Sequence, residues 1–185
     1  MSRRGEAEAK SLVRFFVQSG KLKEEMRRGW VKKLGMARPE SVADHSYRTA
    51  LMAMVVSDSR GLDTAKAVRL ALLHDLPEAL VGDAMPEERS GKSKIALETK
   101  AFSELAKGLP GDLRTLYQDA WKEFVDGKSD EAKLVRQLDK VEMAVQAWEY
   151  VQESADPAKA REFFATARSQ VADKGLLKLL GLVEF

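Results

Sequence analysis

The stretch "ALLHDLPEALVGD", residues 71–83, sets four polar residues, His74, Asp75, Glu78 and Asp83, into an apolar run of Leu and Ala. Upstream, residues 65–73 repeat apolar side chains at helical spacing, and Asp63 stands where an N-cap is expected. Downstream, Pro77 is a poor helix-interior residue, because it lacks a backbone donor and its ring clashes with the preceding turn. Either the helix ends near Asp75, or a new one begins with Pro77 in its first turn. "VGDAMPEER" then reads as a loop. The chain has only two histidines. The other, His45, sits in "ESVADHSYRTALMAM", a second apolar stretch carrying an Asp–His pair.

Helical periodicity continues in both directions. Between residues 8 and 26, Leu12, Val13, Phe15, Phe16 and Leu22 fall on one face, with a break expected near Gly20. "GWVKKLGMARPES", residues 29–41, holds two glycines and a proline and reads as a loop. Ser41 with Asp44 resembles a capping box, which predicts a helix through about Ser57. Further helices are expected over 93–107, 112–125 and 129–152, joined by "KGLPGD" and "DGKSD". Pro157 opens another, and a short one closes the chain around 176–182. No strand pattern, repeat or low-complexity segment emerges. The expectation is an all-α fold in a single domain, residues 1–185, with roughly seven to nine helices.

Composition narrows the function classes. At 44% hydrophobic and 32% charged residues, the profile is that of a soluble globular protein. The 31 basic residues are balanced by 29 acids, so the net charge of +2 gives no footprint for a nucleic-acid polymer. The absence of cysteine removes disulfides, thiolate zinc sites and cysteine nucleophiles together. The N-terminal "MSRRGEAEAK" lacks the apolar core of a signal peptide, and no apolar run approaches the ~18 residues that span a membrane. A cytoplasmic protein without a membrane partner is expected.

The histidines carry the chemistry. Each lies in an apolar helical stretch beside an aspartate, Asp44 or Asp75. Neutral imidazole is a common metal ligand whose second nitrogen needs a fixed partner. If helix continues locally, His74, Asp75 and Glu78 share a face, and Asp83 follows across a glycine. In "AKLVRQLDKVEMAVQAWEY", Leu134, Leu138, Val141, Val145 and Trp148 define a buried stripe with Asp139 directly beside it. A buried carboxylate is costly unless paired or bound to metal. Lys140 points about 100° away on an ideal helix, so Asp139 is either a metal ligand or paired to an arginine. Two histidines and two aspartates from three helices suit Mn, Fe, Co, Ni or Zn, and Mg less readily.

His45, then the His74–Asp75 pair, then a distant Asp139 form the pattern of the HD-domain phosphohydrolases. The wider strings "RPESVADHSYRTALMAM", "RLALLHDLPEALVGD" and "EAKLVRQLDKVEMAVQAWEY" together resemble the HD-domain-containing 2 family, whose relatives include bacterial 5′-deoxynucleotidases. The resemblance covers about residues 30–150. It implies a homodimer that releases phosphate from deoxyribonucleoside 5′-monophosphates with a divalent metal. Carried over by position, His45, His74, Asp75 and Asp139 are the metal ligands. Glu78 and Asp83 match acids near the substrate or a second metal, and Trp30 matches a tryptophan bordering the sugar. Two departures stand out. Gly29 precedes Trp30 where the bacterial enzymes carry arginine, and the stretch from Trp30 to His45 is one residue longer than expected.

The implied mechanism is in-line attack of water on phosphorus, with Asp75 orienting the water and Glu78 as general acid or base. Arg38, Arg48 and Lys140 are the candidate partners of the phosphate, or else ordinary surface charges. Trp30 either walls off the sugar or anchors the core, and Trp121 and Trp148 are expected in the core. Another HD activity, on phosphodiesters or nucleoside triphosphates, and a non-catalytic nucleotide-binding domain are the competing readings. The intact set of two histidines and two aspartates argues against the last.

Overall fold

Ser41 starts the helix that carries His45. Its hydroxyl accepts the Asp44 N–H at 3.2 Å, while the Asp44 carboxylate accepts the Ser41 N–H at 2.9 Å. This closed capping box satisfies two otherwise orphaned donors. Asp63, Ser129, Asp156 and Asp173 cap four more helices through the same side-chain-to-backbone bond. The computed structural model describes residues 3–84 and 91–183. Among them are nine α-helices: α1 (Arg3–Ser19), α2 (Val42–Arg60), α3 (Thr64–Leu73), α4 (Glu78–Val81), α5 (Gly91–Ala106), α6 (Gly111–Asp126), α7 (Asp130–Glu153), α8 (Pro157–Gln170) and α9 (Lys174–Leu182). No strand occurs among the described residues, and none of these helices is long and apolar enough to cross a membrane.

The helix α7 is the axis of the core. It packs against α2 and α3 on one side and α8 and α9 on the other. Its first half buries Leu134, Leu138 and Val141, as the periodicity predicts. In its second half the buried positions are Glu142, Ala144, Ala147 and Tyr150, while Val145 and Trp148 are only partly buried. Small residues let α7 approach its neighbours closely there, which a reading weighted to large apolar side chains misses. Trp121 of α6 is buried and stacks on Phe102 of α5, ring centroids 5.0 Å apart.

One local expectation is corrected, and one left between alternatives is resolved. The stretch read as a loop before α2 contains one π-helical turn, Trp30–Leu34, closed by Gly35 in the left-handed region at φ 73°. Trp30 and Leu34 are buried, so packing holds a segment whose glycines suggest a loop. At Pro77, α3 stops at Leu73, residues 74–77 form tight turns, and Pro77 caps the short α4. The loop expected over residues 81–89 is seen as far as Ala84; its remainder lies outside the described residues.

Candidate metal centre and active site

Four donor atoms from three parts of the chain converge. His45 comes from the first turns of α2, His74 and Asp75 from the turn after α3, and Asp139 from the middle of α7. The Nε2 atoms of His45 and His74 lie 3.3 Å apart. Asp139 Oδ1 is 3.3 Å from His45 Nε2, and Asp75 Oδ2 is 3.3 Å from His74 Nε2 and 3.6 Å from His45 Nε2. The outer imidazole nitrogens are committed elsewhere. His74 Nδ1 is 2.7 Å from the Ala71 carbonyl oxygen, and His45 Nδ1 meets Glu142 Oε2. A carbonyl only accepts, so His74 Nδ1 carries a proton, and its Nε2 faces the cluster. With two imidazole nitrogens facing each other and a carboxylate oxygen 3.3 Å from each, the donor set fits a divalent cation.

The electrostatics are those of a site crowded with acids around one guanidinium. Burial raises the Asp75 carboxyl, but His74, Arg27 and His45 outweigh it and hold it below the usual range. Asp139 is likewise held well below it, against burial, by Lys140 at 2.9 Å and by His45. Burial and Arg27 oppose a charge on His45, yet its hydrogen bonds to Asp139 and Glu142 push it up to about 9. Glu78 goes the other way. Burial, then the neighbouring charges of Asp75 and Asp83, push its carboxyl well above the ordinary range. Its Oε2 is buried without a hydrogen-bond partner.

The cluster sits where two cavities meet, with Asp75, Asp139, Lys94, Lys140 and Gln170 lining both. The smaller, about 210 Å³, is walled by Trp30, Phe163 and Met143 on one side and by Arg27, Glu78 and Asp83 on the other. The larger, about 520 Å³, opens past His74 between α5, α6 and α7, against Ile95, Trp121 and Phe124.

Of the substrate contacts expected from sequence, Trp30, Asp83 and Lys140 line the smaller cavity, and Arg38 and Arg48 do not. Arg38 is exposed. Arg48 turns inward, donating to Glu142 at 2.8 Å and to Glu149 at 2.6 Å. Trp30 is anchored in the core and also lines the smaller cavity. It is 1% exposed, packs on Phe163 and Tyr150, and donates its indole N–H to Glu40 at 2.9 Å. Glu78 arrives through the turns at 74–77 rather than along a continuous helix face, its N–H bonding to the Asp75 carbonyl at 3.0 Å. Asp83 accepts the Arg28 N–H at 2.6 Å.

Four residues at the site are not singled out by the sequence. Arg27 lies 3.3 Å from Asp75 Oδ2 and interacts electrostatically with Glu78, Asp83 and Asp139. In sequence it reads as one member of a solvated basic cluster. Lys94 lines both cavities. Glu40 and Glu142 flank His45, all three offering donor atoms within 4.8 Å of one another. Glu142 has a detectable signal, since it follows Val141 on the stripe that singles out Asp139.

A family model described as the HD domain matches residues 19–179, which contain every donor named above. The chain belongs to the HD-domain family. The human protein named 5′-deoxynucleotidase HDDC2 is 39% identical over 177 residues, covering 95% of this chain and 86% of that protein. The Dictyostelium discoideum protein of the same name is 38% identical over 169 residues, covering 85% and 88%. Among solved structures, the PH0347 protein from Pyrococcus horikoshii OT3 superposes with a TM-score of 0.77 at 28% identity, covering 93% of this chain and 98% of that one. In this HD domain the His–Asp pair therefore sits at the α3–α4 junction, and the histidine and aspartate distant in sequence come from the two helices packed against it.

Proposed function

We propose that this HD-domain protein is a metal-dependent phosphohydrolase that removes phosphate from nucleoside 5′-monophosphates, deoxyribonucleotides in preference to ribonucleotides. The convergence of four donor atoms at the neck between two cavities, with cations on its walls, carries the reading. The names of the human and Dictyostelium relatives support it. His45, His74, Asp75 and Asp139 hold one divalent ion, Mn, Co, Fe, Ni or Zn rather than Mg, because two imidazole nitrogens favour those metals. When bound, that ion polarises a phosphoryl oxygen and lowers the pKa of water at the site.

The chain's own residues do the rest. Arg27, Lys94 and Lys140 meet the charge of the phosphate. The protonated Glu78 carboxyl, kept so by burial and by Asp75 and Asp83, donates to the leaving alkoxide as general acid. Trp30 and Phe163 form the apolar wall against which the nucleoside lies. Arg27, set among Asp75, Glu78 and Asp83, occupies the position a second cation would need, so one metal per chain is expected.

The reading extends to a cytoplasmic homodimer. Tyr47, Leu51, Met54 and Val55 recur at helical spacing on α2 and are exposed, which supports a second copy on that face. Phosphate release from paired deoxy- and ribonucleoside monophosphates, with each metal added in turn to chelator-treated protein, tests the function. Release from no nucleotide under any metal would overturn it.

A further inference from the structure

Two helices interlock around His45 through residues three apart. On α2 the pair is His45 and Arg48, and on α7 it is Asp139 and Glu142. His45 touches both carboxylates, Asp139 through Nε2 and Glu142 through Nδ1. Glu142 touches both residues of the α2 pair, since its other oxygen accepts from Arg48 Nε at 2.8 Å. Glu142 is 0% exposed and Arg48 is anchored further along α7 by Gln146 and Glu149. Nothing in a phosphate-binding role requires this pair, which lies behind His45 and lines neither cavity.

We propose that Glu142, clamped by Arg48, is the positioning residue that makes His45 a metal donor. An ionised carboxylate only accepts hydrogen bonds, so it fixes the imidazole proton on Nδ1 and turns the Nε2 lone pair toward the cluster. It also makes the ring a stronger base, as carboxylates behind metal-bound histidines do. Arg48, itself held by Glu149, clamps that carboxylate and prevents it from rotating away from His45. Asp139 and Glu142 thereby divide the labour on one helix, the first toward the ion and the second toward the ligand that holds it. This rests on His45 being a ligand, as set out under the proposed function.

An amide in place of this carboxylate cannot serve both neighbours. The side chain introduced by Glu142→Gln would offer one acceptor and one donor end, whereas Arg48 Nε–H and His45 Nδ1–H both need an acceptor. One of the two must lose its partner. In Glu142→Gln, with Arg48 still present, the amide oxygen goes to Arg48 and its NH2 faces His45, forcing the proton onto Nε2. Removing the competing donor as well, in Glu142→Gln with Arg48→Met, frees the amide oxygen for His45.

The test is Co(II) titration of metal-free wild type, Glu142→Gln and the double variant, by calorimetry and visible absorption at one pH. Glu142→Gln should bind Co(II) about 10–100-fold more weakly. The double variant should recover most of that loss, whereas a residue important only for packing would make the double variant worse. Unchanged affinity in Glu142→Gln, or no recovery in the double variant, overturns the proposal. Wild-type protein gives an answer that does not depend on any variant folding. With only two histidines in the chain, the ring ¹⁵N–¹H spectrum of the Zn(II)-loaded protein contains two systems. His45 should show its proton on Nδ1 and its Nε2 shifted by the metal. A metal-shifted Nε2 without a hydrogen-bonded Nδ1 proton overturns the role of Glu142 alone. An Nε2 that ignores Zn(II) overturns the ligand assignment beneath it.

Discussion

His45 and Asp139 reach the centre from within two long helices, α2 and α7, whereas His74 and Asp75 reach it from the turn that joins α3 to α4. Behind the helix-borne half the buried Glu142 is paired to His45 and Arg48, while Asp139 lines both cavities. In the turn-borne half Asp75 lines both cavities and His74 the larger one, and the acids around them are crowded with incomplete partners. Glu78 keeps a buried oxygen unbonded, and Arg27 is shared among four carboxylates. Under the proposed function, the helix-borne half would hold the ion and the crowded half would present it to substrate. Helix backbones place the first, and the turns at residues 74–77 place the second.

Removing one histidine from each half breaks the comparison most severely. Both His45→Ala and His74→Ala should lose the bound metal, and with it turnover to background. Their stabilities should differ. His45→Ala empties a fully buried position and leaves Glu142 with Arg48 alone, a cost of about 3–5 kcal/mol. His74→Ala strips the Ala71 carbonyl of one bond, and should cost less, about 1–3 kcal/mol beyond its lost packing. Metal analysis and thermal unfolding of the metal-free proteins measure both. A His74→Ala protein with wild-type metal content would remove the turn-borne half from the centre.

Glu78 separates the halves without being one of the four proposed ligands. Glu78→Ala should retain metal and lose turnover by roughly 10²-fold, the usual size of a general acid contribution. The isosteric Glu78→Gln should lose activity similarly while stabilising the metal-free fold at neutral pH. The sign follows from the raised carboxyl. Below the ordinary carboxylate range both folded and unfolded states carry the proton, so the variant gains nothing. As pH rises through that range, unfolding of the wild type releases a proton the fold retains, and wild-type stability falls. The gap between the two melting curves should therefore open with rising pH and level off above the raised value. A gap that stays constant from acid to neutral pH would mean Glu78 is ionised in the fold.

The two halves are not equally legible in sequence. His45 and Asp139 stand out because helical periodicity predicts which positions are buried, and a polar residue there demands a partner. The same argument reaches Glu142, although Asp139 alone already accounts for a polar break in that stripe. The all-α architecture follows from that periodicity too, with Ser41, Asp63 and Pro157 marking helix starts close to where the chain folds them. His74 and Asp75 stand out by composition, but the assumption of a continuing helix misplaces the route by which Glu78 arrives. Arg27 is not legible at all. Its position depends on the π-helical turn that swings residues 27–30 over the turn at 74–77, and the packing of Trp30 against Tyr150 and Phe163 that drives this comes from residues over 100 positions away.

Trp30 joins the halves, and altering it should have the smallest effect. It lines the same cavity as Glu78, while its indole N–H bonds to Glu40 beside His45 and Glu142. Trp30→Ala would cost about 3–5 kcal/mol in a core position and confuse selectivity with unfolding. Trp30→Phe keeps most of the packing on Phe163 and Tyr150 while shrinking the wall and removing the donor to Glu40. An apolar wall rejects an added hydroxyl by about 10²-fold at most, because no polar group of the site is left unpaired by the wrong substrate. The preference for deoxyribonucleotides should therefore be of that order in the wild type and narrow by less than about 10-fold in Trp30→Phe, with metal content unchanged. The measurement is kcat/KM for matched deoxy and ribo monophosphates in both proteins. If the two ratios coincide, Trp30 only anchors the fold, and the discrimination against a 2′-hydroxyl lies with the polar residues of the turn-borne half, Asp83 first among them.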